Sequence, residues 1–349
     1  MISHAGHLES HWHGAAAQPR RRRSALFIAL IAFLSVLAVV GGAIVGGGLL
    51  YAGSVASTFS STVKHIPNAF PPAATRPVAV STGAMNILLI GSDSRGDPTT
   101  IGATGTSDQR SDTLMLVHID ADRRNVYVMS IMRDLWIPIP GNGTAKINAA
   151  LAWGGTPLVV QTVEQLLGTP IDHVAIIDFQ GLAGMTDALG GVDVDSPVGF
   201  TTVLKPHYTF VKGINHLDGA QALAFARERY AFPTADYQRV ADQQALIRAI
   251  VSKVLSRSTL ADPATTTAFV GAMGTYLSVD EKFDLPTIIG LAASMRLDGA
   301  SSIHTFTMPT GGTGTSADGQ SIVNVDQNSL SALRTAYAHD QLGTLVQTQ

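Results

Sequence analysis

Apolar residues in this chain fall into two kinds of run, and their alternation predicts the architecture. Met85-Asn-Ile-Leu-Leu-Ile-Gly91 is short, mostly apolar and ended by glycine, which predicts a strand buried on both faces. Thr113-Leu-Met-Leu-Val-His-Ile119 and Val126-Tyr-Val-Met-Ser-Ile131 predict two more strands, joined by the turn-like Asp120-Ala-Asp-Arg-Arg124. A helix opens at Thr156-Pro157 and runs to Leu167, with Thr156 as N-cap and proline in the first turn. Val174 to Asp178 is a further strand, and Phe179 to Leu189 a helix stopped by Gly190-Gly191. Helices follow over Leu217–Arg229 and Asp236–Leu255, the second with an apolar stripe of Leu246, Ile247, Ile250, Val251 and Val254. Helices near Thr265–Tyr276 and Leu285–Met295, strands near Ile303–Met308 and Ile322–Val325, and a helix from Asn328 complete the pattern. Thr310 to Gly319 reads as a Gly/Thr-rich loop. Strands alternating with helices predict an α/β domain over residues 84–345, a central mixed sheet covered by helices on both faces. His118 lies inside a predicted strand and reads as a packed core residue.

The N-terminal pattern is different. Arg20 to Arg23 form a basic run, and no charge follows from Ala25 to Gly53. About 20 apolar residues span a bilayer, so residues 25–53 are expected as a transmembrane helix. The basic flank predicts a cytoplasmic tail at 1–24 with the rest of the chain outside. Ser54 to Gly83, rich in Ser, Thr and Ala and punctuated by Pro67, Pro71, Pro72 and Pro77, is expected as a stalk. Composition adds exclusions. The absence of cysteine removes thiol catalysis, disulfides and cysteine-ligated metal, and a net charge of -3 gives no field to recruit nucleic acid.

Polar residues then cluster at predicted strand ends, where a buried α/β sheet offers its ligand crevice. Gly91-Ser-Asp93-Ser-Arg95 follows the first strand, Arg110-Ser-Asp112-Thr113 precedes the second, and Met132-Arg133-Asp134 follows the third. If the first two strands are antiparallel neighbours, Asp93 and Asp112 lie together. Two carboxylates plus substrate phosphates suit Mg²⁺; the same aspartates also suit a turn cap and a backbone hydrogen bond. Further along, Arg227 and Arg229 precede a short loop, and Arg239 and Gln243 follow it, four apart on a predicted helix. Arg227 and Arg229 converge only if their helix ends there, as Pro233 suggests. Three guanidiniums and an amide suit a multiply charged oxyanion. The competing reading is a solvated face with ion pairs to Glu228, Asp236 and Asp242.

Seven of these segments, taken in order, carry a resemblance. Asn86–Arg95, Arg110–Leu116, Ser130–Asp134, Lys146–Ala150, Asp187–Asp193, Leu223–Arg229 and Asp236–Gln244 are similar to the successive motifs of the LytR-CpsA-Psr family. The resemblance covers about residues 84–255 and extends toward 340. It implies a membrane-anchored, extracytoplasmic phosphotransferase of the Gram-positive envelope that moves a glycopolymer from a polyprenyl-pyrophosphate carrier to peptidoglycan. It further implies that Asp93 and Asp112 hold Mg²⁺, and that Arg110, Arg133, Arg227, Arg229, Arg239 and Gln243 surround the pyrophosphate, with Arg95 added from the first strand end. The expected partners are the lipid-linked glycopolymer, peptidoglycan and the bilayer. An apolar channel for the lipid is expected along Leu151–Leu167 and Ile247–Leu255, and Asp134 is one candidate base. Two other readings keep the anion site: a non-catalytic envelope receptor or transcriptional attenuator, and a hydrolase that takes water as acceptor. The chain departs from the family pattern at Asp242, where a further arginine is usual, at Met132 in place of proline, and in the longer loop Gly96–Gln109.

Overall fold

The computed structural model describes residues 48–78, 83–92, 111–178, 181–203, 205–228, 230–232, 238, 242, 245–246, 249–250, 252–254, 256–260, 262–297 and 302–346. The chain runs through α1 (Gly48–Thr62), β1 (Lys64–Ile66), β2 (Met85–Ser92), β3 (Ser111–Ile119), β4 (Val126–Ile131), β5 (Trp136–Ile139), β6 (Gly143–Lys146), α2 (Ala149–Leu167), β7 (His173–Asp178) and α3 (Gly181–Ala188). It continues through β8 (Val192–Ser196), β9 (Phe200–Thr201), β10 (Thr209–Phe210), β11 (Gly213–Leu217), α4 (Gly219–Arg227), α5 (Arg257–Leu260), α6 (Pro263–Tyr276) and β12 (Leu277–Asp280). The last elements are α7 (Leu285–Ser294), β13 (Ile303–Thr307), β14 (Thr310–Thr315), β15 (Ser321–Val325), α8 (Gln327–Ala338) and α9 (Leu342–Val346). Between α4 and α5, the described residues from Gln238 to Val254 are helical.

A seven-stranded sheet in the order β1-β12-β7-β2-β3-β4-β13 divides the domain. It is mixed: β2 pairs parallel with β7 and antiparallel with β3, and β4 pairs antiparallel with β3 and parallel with β13. Alternation along each strand sends neighbouring side chains to opposite faces. Ile87, Leu89, Met115 and Val117 enter one core with Phe59 and Phe225, whereas Leu88, Ile90, Leu114 and Leu116 enter the other with Val159 and Leu333. All eight of these strand side chains are fully buried, so the apolar runs at β2 and β3 are the two-faced strands their composition predicts.

Several expectations change. Within the stretch read as a stalk, α1 and β1 are parts of the domain. Val55, Phe59 and Val63 are buried in the first core, and β1 is the sheet's edge strand, paired parallel with β12. The approach of α1 to α6 is close, because a Cβ at Gly274 would run into the Thr62 side chain. The expected span at 25–53 lies almost wholly outside the described residues; among those residues no helix is long and apolar enough to cross a membrane. The Gly/Thr-rich stretch is strand β14, paired antiparallel with β15. In α2 the backbone breaks at Gly154 and Gly155, so a second helical segment does begin at Thr156-Pro157, but the buried Thr156 hydroxyl has no hydrogen-bond partner among the described residues and so does not cap it. The two stretches expected to line one channel cover opposite faces: Leu151, Val159 and Val163 belong to one core, Ile250 and Val254 to the other. His118 is core, as its position predicts. Its ring nitrogens lie 2.8 Å from Asn86 Oδ1 and 2.8 Å from Asp340 Oδ1, tying the turn after α8 to the sheet.

Candidate functional site

The strand directions decide which polar segments can meet. Ser92 at the end of β2 pairs with Asp178 at the end of β7 and with Ser111 at the start of β3. Leu114 near the start of β3 pairs with Ile131 at the end of β4. One edge of the sheet therefore receives the segment after β2, the segment before β3 and the segment after β4. The condition placed on Asp93 and Asp112, antiparallel neighbouring strands, is met. The register shifts between Gly91 and Ser92, so Gly91 opposes Thr113 and Ser92 opposes Ser111, leaving Asp112 as the extra residue. Asp93, Arg95, Arg110, Arg229, Arg239 and Gln243 lie outside the described residues.

Arg133 stands on the turn that follows β4. Backbone bonds hold this turn on two sides: Asn148 N–H donates to Arg133 O at 3.2 Å, and Val323 N–H donates to Asp134 O at 2.9 Å. The Asp134 carboxylate sits 3.1 Å from Lys146 Nζ and 3.6 Å from Arg133 Nε. One carboxylate thus lies between two cations. Both Asp134 oxygens are engaged by cations, so its geometry suits a strut for Arg133 rather than a proton acceptor. Lys146 in this arrangement was not legible from the sequence, because it arrives on the β5–β6 hairpin, whose strands of four residues carry no periodic signal.

Arg227 is the last residue of α4, and the helix ends there as convergence with Arg229 requires. Asp218 and Gln221 form a capping box at the helix start. At the other end Glu228 has φ -67° and ψ 131°, an extended conformation. Glu228 does not lie on a solvated face, as the competing reading had it. It is buried, and its carboxylate accepts from the backbone N–H groups of Val203 (2.7 Å), Tyr230 (2.6 Å) and Ala231 (3.0 Å). It thus stitches the end of α4 to a loop distant in sequence. Asp242 is also wholly buried; Gln238 Nε2 donates to its Oδ1 at 2.8 Å, and its Oδ2 has no hydrogen-bond partner among the described residues. Burial pushes this carboxyl up to about 7, against the lowering effect of the Gln238 amide.

Among the described residues no group of three or more His, Asp or Glu side chains is placed to hold a metal. The donor set expected for one, Asp93 and Asp112, provides hard carboxylate oxygens, the ligand type Mg²⁺ takes, and the β2–β3 register is compatible with it.

Comparison with known proteins places these features in a family. The model of the LytR_cpsA_psr family matches residues 54–339. The polyisoprenyl-teichoic acid–peptidoglycan teichoic acid transferase TagU of Bacillus cereus is 33% identical over 256 residues, covering 72% of this chain and 80% of the relative. Among solved structures, TagV of B. subtilis aligns with a TM-score of 0.54 at 25% identity, over 74% of this chain and 98% of that one. TagT bound to LI-WTA aligns with a TM-score of 0.53 at 25% identity, over 78% and 99%.

Proposed function

Because this chain belongs to the LytR_cpsA_psr family, we propose that it is an extracytoplasmic, membrane-anchored phosphotransferase that moves a glycopolymer from a polyprenyl-pyrophosphate carrier to peptidoglycan. The observation that carries the reading is the extent of the family match: residues 54–339 contain every candidate site residue. The name of the TagU relative, a teichoic acid transferase acting on a polyisoprenyl-linked donor, supports the donor and acceptor classes.

In this reading Arg110, Arg133, Arg227, Arg229 and Arg239 grip the pyrophosphate with Arg95 and Gln243, and neutralise charge as it moves onto the leaving group. An acceptor sugar hydroxyl attacks the phosphorus that bears the glycan, the bridging P–O bond breaks, and polyprenyl phosphate departs. Asp93 and Asp112 would hold Mg²⁺, which when bound supplies charge neutralisation on the phosphate oxygens. Asp134 and Lys146 keep Arg133 in place.

Titrating a short-chain polyprenyl-pyrophosphate sugar against Arg133→Ala and Arg227→Ala tests the site. Each loss removes a charge-assisted bond worth about 1.5–3 kcal/mol, roughly 10–150-fold in affinity. Lysine at either position is expected to restore only part of it, because an ammonium lacks the bidentate fork. Unchanged affinity in both alanine variants sinks the pocket and the enzyme together. Product analysis separates the rivals: free glycan phosphate marks a hydrolase, and tight binding without turnover marks a receptor. Asp112→Ala is expected to abolish Mg²⁺-dependent turnover with the fold intact by circular dichroism; retained metal dependence removes Asp112 from the metal site.

A further inference from the structure

The excursion from Ser196 to Leu217 carries the small β9–β10 ribbon between β8 and β11. Its inner side is aromatic. Phe200 and Phe210 pack on Phe225 with ring centroids 5.4 and 5.1 Å apart, which fixes the ribbon onto α4 beside Arg227. Its outer side carries the exposed Thr201 and Thr209 hydroxyls, 2.9 Å apart, beside exposed aliphatic side chains: Val203 is 52% and Val211 58% exposed, with Ile214 of β11 64% exposed. Tyr230, 57% exposed, is drawn beside Val203 because Glu228 receives the backbone N–H of both. No Asp or Glu occurs from Ser196 to Leu217, whereas Lys205, His207 and Lys212 do, in a chain whose net charge is -3.

Exposed aliphatic side chains set among lysines fit one partner chemistry. Lysine is depleted at protein interfaces, but at an anionic lipid surface its ammonium meets headgroup phosphates while its stem and the neighbouring valines enter the boundary layer. The location agrees. Ile214 pairs with Asp195, which lines a shallow pocket with Lys253, Ser256 and Ser258. A few residues later Pro263 and Ala264 face Ser54 in α1. The base of the ribbon and the N-terminal part of α1 thus lie toward the same end of the domain, the end from which the chain leads back to the uncharged run at 25–53. The acids beside it are engaged in the fold: Asp193 lies 2.7 Å from His216, Asp218 caps α4 by accepting from the Gln221 N–H, and Glu228 accepts the Val203 N–H, while Asp195 lines a pocket with Lys253.

From this placement we infer that the outer face of the 196–217 excursion docks on an anionic lipid bilayer and turns the Arg227 end of α4 toward a membrane-borne carrier. The inference rests on the function proposed above for its biological sense, but its test does not. The chain has no cysteine, so Val211→Cys in the full-length protein accepts a single environment-sensitive fluorophore, and Thr144→Cys, exposed on β6, serves as control. In vesicles containing phosphatidylglycerol, the label at 211 is expected to shift to the blue and to be quenched by shallow doxyl lipids, while the label at 144 is not. Lys205→Glu with Lys212→Glu should abolish the shift, as should vesicles of phosphatidylcholine alone. The same double variant should lower turnover of a long-chain carrier embedded in anionic vesicles by on the order of tenfold and leave a short-chain soluble carrier unaffected. Equal responses at 211 and 144, or a response at 211 only on adding peptidoglycan fragments, overturn the docking surface. If wild-type protein turns over neither carrier, the functional reading fails, and the fluorescence result still decides the docking.

Discussion

Stability is expected to fall as the pH rises from about 4 to about 7, with Asp242 carrying the effect. In the unfolded chain this carboxyl has its ordinary value of 3.8; in the folded protein burial raises it to about 7, with the Gln238 hydrogen bond opposing. Between those values the folded state holds a proton that the unfolded state does not, so stability is highest below the lower value and is lost as pH climbs to the upper one. At about 1.4 kcal/mol for each pKa unit, the loss is at most about 4 kcal/mol. Other shifted aspartates act outside this window. Burial works to raise Asp340, but hydrogen bonds from His118 and Ala121 hold it below its ordinary value. Asp262, Asp284, Asp318 and Asp326 are also held low, chiefly by hydrogen bonds from neighbouring hydroxyls and backbone amides. Their contributions are lost only as pH falls below the ordinary carboxylate range. Urea unfolding at about pH 5 and about pH 8 should show a lower midpoint at the higher pH for wild type. Asp242→Asn, neutral throughout, should flatten the profile and exceed wild type at the higher value. A flat wild-type profile removes Asp242 as the carrier of the effect.

Glu228→Ala is expected to be the most damaging single change near the candidate site. Its carboxylate receives three backbone N–H groups, and each buried donor left without a partner costs about 1–3 kcal/mol. Water entering around Tyr230, which is exposed, recovers part of that, so the expected loss is roughly 3 kcal/mol. Glu228→Gln keeps one oxygen for Tyr230 and Ala231 but turns an amide donor toward the Val203 N–H, and should fall between alanine and wild type. Because the clamp joins the ribbon to the end of α4, the alanine variant should also weaken binding of the pyrophosphate donor through Arg227. Chemical denaturation gives the first quantity and donor titration the second. A stability within about 0.5 kcal/mol of wild type, the range of an ordinary surface change, removes the clamp.

The β2 and β4 strands, the helix begun at Thr156-Pro157 and the stop at Gly190-Gly191 were legible locally. Each depends on interactions within a few residues: an apolar run that must be buried on both sides, a proline that tolerates the first helical turn, and glycines at φ 71° and 89°. The spacing of Arg227 and Arg229 was legible too, together with the requirement that their helix end there. What the sequence alone determined is therefore the kind of the central strands and of most of the helices that follow them, and the family.

The tertiary structure decided matters that depend on partners far along the chain. Val55 and Phe59 sit among Ser, Thr and Ala and show no stripe, yet they become core because α6 offers glycines for close approach. Thr310–Thr315 has the composition of a loop and becomes a strand because β15 supplies the ladder, since pairing can override weak β-propensity. Short strands such as β9 and β10, two residues each, lie below the length at which periodicity can register. Glu228 looked like a surface acid between two arginines; only the loop at Val203, 25 residues away, makes it a backbone clamp. Which helices cover which face of the sheet was likewise invisible, because an apolar stripe shows that a helix packs but not on what. The meeting of the Asp112 and Arg133 segments at one edge came from strand direction and register, which no local pattern encodes.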